Sequence, residues 1–110
     1  MMYRAGVFGI CVASTVCADA PTIDQVEVDG MRVSVTILHP DTGWDHYADG
    51  WRVETADGTI LGTRELLHPH VDEQPFRRSL TVSNLPGGPL FIRAKCSVDG
   101  WSETTVPLSR

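Results

Sequence analysis

The stretch Asp29-Gly30-Met31-Arg32-Val33-Ser34-Val35-Thr36-Ile37 decides the fold. Asp29-Gly30 supplies the positive φ that a tight primed hairpin turn requires. Met31, Val33, Val35 and Ile37 then alternate with polar residues, the period of a strand with one face in a core. The thinner alternation of Ile23 to Val28 on the other side of the turn predicts its antiparallel partner.

Downstream, the same signals recur. Trp51, Val53 and Thr55 alternate with Arg52, Glu54 and Ala56, and Asp57-Gly58 leads into Thr59 to Arg64, so a second hairpin is expected. Phe76, Leu80 and Val82 predict a fifth strand, which ends at Asn84-Leu85-Pro86-Gly87-Gly88-Pro89. Leu90, Ile92, Ala94 and Cys96 share one face of a sixth, Asp99-Gly100 makes a third hairpin turn, and Thr104, Val106 and Leu108 suit a seventh strand. His39 to Gly43 breaks the pattern, because Pro40 cannot donate to a ladder. Leu66 to Pro75, with two prolines and no period, reads as a long crossing loop. From Ile23 on, no segment has the i, i+3, i+4 stripe of an amphipathic helix. Seven short strands with regular turn signals predict an all-β, antiparallel two-sheet sandwich.

The early Trp51, the Leu85-Pro86 corner before Leu90-Phe91-Ile92-Arg93-Ala94-Lys95-Cys96, and the closing Asp99-Gly100 hairpin resemble a fibronectin type III or related immunoglobulin-like domain. That resemblance implies a seven-stranded sandwich, with Leu90 where such domains usually carry a Tyr. The phrase His68 to Leu80, HPHVDEQPFRRSL, also resembles a stretch of small bacterial secreted proteins, which implies export and no particular activity.

Length and composition agree with one globular domain: 110 residues, 42% hydrophobic and 21% charged. Arg4 precedes the apolar run Ala5 to Val16, and small residues follow, so residues 1–18 are expected to be a secretory signal peptide and 19–110 the domain. A lipid anchor on Cys17 is disfavoured by Val16, where a small residue is usual. The run is too short to span a membrane. A periplasmic or secreted location follows, with Cys96 as the one cysteine left after cleavage and no internal disulfide. The formal charge of −5, or −6 without Arg4, argues against nucleic acid as a partner.

The richest segment in unusual side chains is Gly43 to Phe76. Trp44 and Tyr47 could present an aromatic surface to another protein or a glycan. His68 and His70, one residue apart in a proline-fixed segment, could share a zinc or copper ion with His46 and Glu73. Cys96, on an apolar face with no His near it in sequence, reads as a small buried hydrophobe. No serine sits in a sharp elbow motif and no nucleophile has an evident base, so an enzyme is not expected. Two functions follow: a non-catalytic binding or structural module needing no cofactor, or a periplasmic metal-binding protein. The sequence does not set the oligomeric state.

Overall fold

The computed structural model describes residues 20–109. The expected signal peptide, residues 1–18, lies outside them. Among the described residues the chain is all β, with strands β1 (Thr22–Asp29), β2 (Arg32–Leu38), β3 (Ala48–Thr55), β4 (Ile60–Glu65), β5 (Phe76–Thr81), β6 (Leu90–Cys96), β7 (Gly100–Trp101) and β8 (Val106–Leu108). They form two antiparallel sheets. One has the order β1-β2-β5; the other runs β4-β3-β6, with β7 and β8 both paired to the far side of β6.

Local chemistry explains the hairpins. Gly30, Gly58 and Gly100 follow their aspartates at φ of 63°, 89° and 76°, the left-handed region that an L side chain enters only with strain. The registers then set the faces. Val33 lies opposite Leu80 and Ile37 opposite Phe76 in one sheet; Trp51 lies opposite Ala94 and Val53 opposite Ile92 in the other. These two inner faces meet in a core in which Val33, Trp51, Val53 and Ile92 are fully buried, closed by Leu66, Val82, Leu90 and Leu108.

Three expectations change. The predicted seventh strand is two short ones, β7 and β8: Ser102 still donates its N–H to the Ala94 carbonyl, but its own carbonyl accepts Nη1 of Arg93 at 2.6 Å and leaves the ladder. Met31 is about half exposed because it belongs to the turn, not the inward row. Ser34, expected to face outward, is buried and shares a 2.7 Å hydroxyl contact with Ser79.

Cross-sheet connections position the site. Residues 39–47 carry the chain from β2 to β3 and residues 66–75 carry it back from β4 to β5. Where the first arrives, the pairing of β3 with β6 slips: Ala48 lies opposite Cys96 but Gly50 opposite Lys95, so Asp49 is an extra residue. This bulge frees the Ala48 N–H from the ladder and turns it to the Asp41 carboxylate, 2.9 Å away.

Candidate metal centre

The register that sets Ala48 against Cys96 brings the end of β6 beside the end of the 39–47 connection. Two hydrogen bonds fasten them: Ser97 N–H to the Tyr47 carbonyl at 2.8 Å, and Tyr47 N–H to Ser97 Oγ at 3.0 Å. His46, one residue before Tyr47, therefore meets Cys96, and its Nε2 lies 3.8 Å from Sγ. His39 arrives from the other end of the same connection, its ring edge-on to His46 with centroids 5.0 Å apart. One ligand atom from each of His39, His46 and Cys96 falls within 4.8 Å of the others. Donors on one tetrahedral ion with bonds of about 2.0–2.3 Å are about 3.3–3.6 Å apart. Only a small closure is needed.

His39 is held by one ring nitrogen and has the other without a partner. It is 0% exposed, and its Nδ1 lies 2.6 Å from Oδ1 of Asp41, so Nδ1 carries the proton and donates it to the carboxylate. Nε2 is left with its lone pair, buried and without a hydrogen-bond partner. A carboxylate fixing the tautomer and aim of an imidazole is the usual outer support of a metal-binding histidine. Sγ of Cys96, buried, accepts the backbone N–H of Asp99 at 3.3 Å and lies 3.8 Å from Oδ2 of the same residue, to which its S–H donates. Two imidazoles and one thiolate are donors suited to zinc, copper and iron rather than calcium or magnesium.

Asp41 has a second task. Its Oδ2 accepts the backbone N–H of His70 at 2.7 Å, which ties the 66–75 loop to the 39–47 connection. Gln74 adds to the tie, accepting the His39 N–H at 2.9 Å and donating to the His70 carbonyl at 2.7 Å.

The structure divides the metal set expected from sequence. His68 and His70 do come together, with ring centroids 4.6 Å apart. His46 instead joins His39 and Cys96, and Glu73 turns to Arg78 at 3.3 Å. His70 is 4% exposed, stacks on Phe76 at 3.8 Å, and has both ring nitrogens buried without a hydrogen-bond partner. Burial, then the charge of Arg78 and the neighbouring His68, hold its pKa below the ordinary 6.5 against the pull of Asp41 and Glu73. Trp44, 68% exposed, packs edge-on against the partly covered Tyr47 at 5.6 Å, and the two flank His46 in sequence. Cys96 is buried as expected, but the inference that no histidine supports it is overturned, because strand pairing supplies His46 from fifty residues away. The sequence reading offers neither His39 as a ligand nor Asp41 as its support; Asp41 figures there beside Pro40 and, with Asp45 and Asp49, as an acid lacking the spacing of a calcium loop.

No family model matches the chain. A protein of Halomicrobium mukohataei named "Putative lipoprotein" is 57% identical over 61 residues, which are 56% of this chain and 30% of that protein. The chain thus spans under a third of that relative's length. Among solved structures, a hypothetical protein of Pyrococcus horikoshii OT3 aligns with a TM-score of 0.48 at 22% identity, over 82% of this chain and 88% of that one. The superoxide reductase of Nanoarchaeum equitans aligns with a TM-score of 0.48 at 20% identity, over 81% and 91%. Likenesses of that degree do not bear on the chemistry of the site. Among the described residues no helix is long and apolar enough to cross a membrane.

Proposed function

We propose that the chain is an exported, immunoglobulin-like β-sandwich module that binds one transition-metal ion between His39, His46 and Cys96. The carrying observation is the approach of ligand atoms of those three residues to within 4.8 Å of one another, together with a buried His39 Nε2 that has no hydrogen-bond partner. A buried imidazole nitrogen without a partner is costly, and a metal ion is one of the few groups that satisfies it. Export, whether by secretion or with a lipid anchor, is supported by the apolar leader in the sequence and by the name of the Halomicrobium mukohataei relative. The three-stranded sheet facing the five-stranded one supports the immunoglobulin-like reading.

Bound at this site, a zinc, copper or iron ion would supply a Lewis-acidic or one-electron centre with a thiolate ligand. The protein's part is to hold the donors: Asp41 keeps the Nδ1 proton of His39, and the Asp99 N–H fixes the position of the sulfur. Of the two functions expected from sequence, geometry favours metal binding, with a donor set other than the His68 loop.

Titration with zinc(II), copper(II) and cobalt(II) tests this. One equivalent should bind, with a sulfur-to-metal charge-transfer band for copper or cobalt that vanishes in Cys96→Ser and weakens strongly in His39→Ala. Uptake indifferent to both changes but lost in His68→Ala and His70→Ala would move the site to the loop. The loaded protein is then offered dioxygen, peroxide and superoxide, and an unchanged spectrum throughout would leave binding without redox turnover.

A further inference from the structure

Strand direction sorts the exposed apolar side chains. β1, β3 and β5 begin, and β2, β4 and β6 end, at one end of the sandwich, as the pairings Thr22–Leu38, Gly50–Glu65, Ile37–Phe76 and Ala48–Cys96 require. Leu38, Trp44, Leu67, Val71 and Val98, each about half exposed or more, all lie at that end, on the last residue of β2 or in the 39–47, 66–75 and 97–99 segments. Among the described residues only Met31 and Ile60, of the large apolar side chains so exposed, lie at the other. We propose that the first end is a membrane-contacting face, which seats its apolar side chains in the headgroup region of a lipid bilayer. This rests on the export reading above and is independent of the metal.

The chain enters the fold at the same end. Thr22 lies opposite Leu38, and Ala20, two residues earlier, lines one crevice with the Asp99-Gly100 turn. The apolar run that ends at Val16 is four residues before Ala20, at most about 14 Å of extended chain. A bilayer that holds this leader, during translocation or afterwards, therefore meets the Trp44 end of the fold first.

The side chains suit that depth. An indole joins an apolar body to a polar tip, the chemistry enriched where hydrocarbon gives way to headgroups, and Trp44 is 68% exposed. Leu67 and Val71 stand on a loop that the Asp41 carboxylate ties down through the His70 N–H, so little ordering of the backbone opposes their burial. Asp45, Asp72 and Asp99 are exposed at the same end. Their charge repels an anionic surface, so the face fits zwitterionic lipid, the reverse of a basic peripheral protein.

The chain recovered after export is mixed with phosphatidylcholine vesicles whose acyl chains are brominated, and tryptophan quenching and co-sedimentation are measured. Wild-type fluorescence should be quenched, and most of the quenching should vanish in Trp44→Phe, since Trp51 is fully buried. Trp44→Ala with Leu67→Ala should lower binding about tenfold or more, whereas Met31→Ala with Ile60→Ala, at the other end, should leave it unchanged. Adding phosphatidylglycerol should weaken binding at low salt and less so at high salt. Should a covalent lipid hold every variant on the vesicles, the quenching decides, with the same expectation for Trp44→Phe. All these substitutions replace exposed side chains, and unchanged urea unfolding shows that the variants fold. No quenching, quenching that survives Trp44→Phe, or equal losses in the two double variants would overturn the proposal. So would a stable dimer that forms without lipid and needs Trp44 and Leu67, which would give the face to a second copy. A chain that is never exported would overturn the export reading instead, and this proposal with it.

Discussion

The carboxylate of Asp41 accepts three hydrogen bonds in the interior, from His39 Nδ1, the Ala48 N–H and the His70 N–H. Asp41→Ala strands all three donors, and a buried donor without an acceptor costs about 1–3 kcal/mol. A loss of about 3 kcal/mol or more is expected in urea unfolding, together with a fall of about 10–100-fold in metal affinity as His39 loses its aim. His70 gives a prediction in pH. Its pKa is depressed in the fold, so between that value and the ordinary 6.5 the unfolded chain binds more protons than the folded one. Its neutral form thus contributes stability that is whole above about pH 6.5 and drains away as pH falls toward the folded value. Unfolding free energies measured from pH 8 down to 5 should decline below 6.5, and His70→Leu should flatten that part of the curve; an unaltered slope would clear His70 of the effect. Neither residue's role was legible in sequence, since an aspartate beside a proline and a histidine beside another both read as loop chemistry until partners are known.

Strands were the legible part, because alternation and Asp-Gly turns are local: the inward row of Val33, Val35 and Ile37 and the turns at Gly30, Gly58 and Gly100 are all as expected. What was hidden depends on pairing. Nothing near Cys96 in sequence announces His46, and it is the Ala48–Cys96 register with its bulge that joins them. The split of the last strand depended likewise on a distant guanidinium, Arg93 taking the Ser102 carbonyl. The outer face of the larger sheet shows the same logic across β3 and β6. Glu54 is buried between Arg52 at 2.6 Å and Arg93 at 2.8 Å, with Arg52 stacked 3.9 Å over Trp101. Burial acts to raise the Glu54 pKa, but the hydrogen bonds and charges of Arg93 and Arg52 outweigh it and hold the carboxyl below its usual range. That depressed value gives stability present at neutral pH and lost as pH falls below about 4.5. Both guanidinium groups are partly in solvent, so Glu54→Ala is expected to cost about 2 kcal/mol, below the usual figure for a broken buried pair. Thermal unfolding at pH 7 and pH 3 checks it, since the penalty should shrink at the lower pH.

For the molecule as a whole, the proposed site, assembled only in the folded chain, would link metal to stability. At a free zinc concentration 1,000 times Kd the stabilisation is about 4 kcal/mol, and a matching rise in Tm should appear in wild type and be absent in Cys96→Ser. That linkage reaches further than the donors, because two of the cross-sheet connections meet at one carboxylate. Asp41 holds the His39 ring with one oxygen and the His70 backbone with the other, and Gln74 repeats the connection. The 66–75 loop, whose Leu67 is 74% exposed, is therefore clamped through the same residue that orients the His39 ring of the proposed site. Stripping the ion with a chelator should slacken that clamp and turn the loop into a cutting site. Thermolysin, which cleaves before large apolar residues, needs a calcium-replete, zinc-loaded control, so chymotrypsin is the cleaner probe. It should cut after Leu67 faster in apo than in metal-loaded protein, and equally fast in both forms of Asp41→Ala. Resistance to digestion, measured on a gel, would then report whether the protein carries its ion.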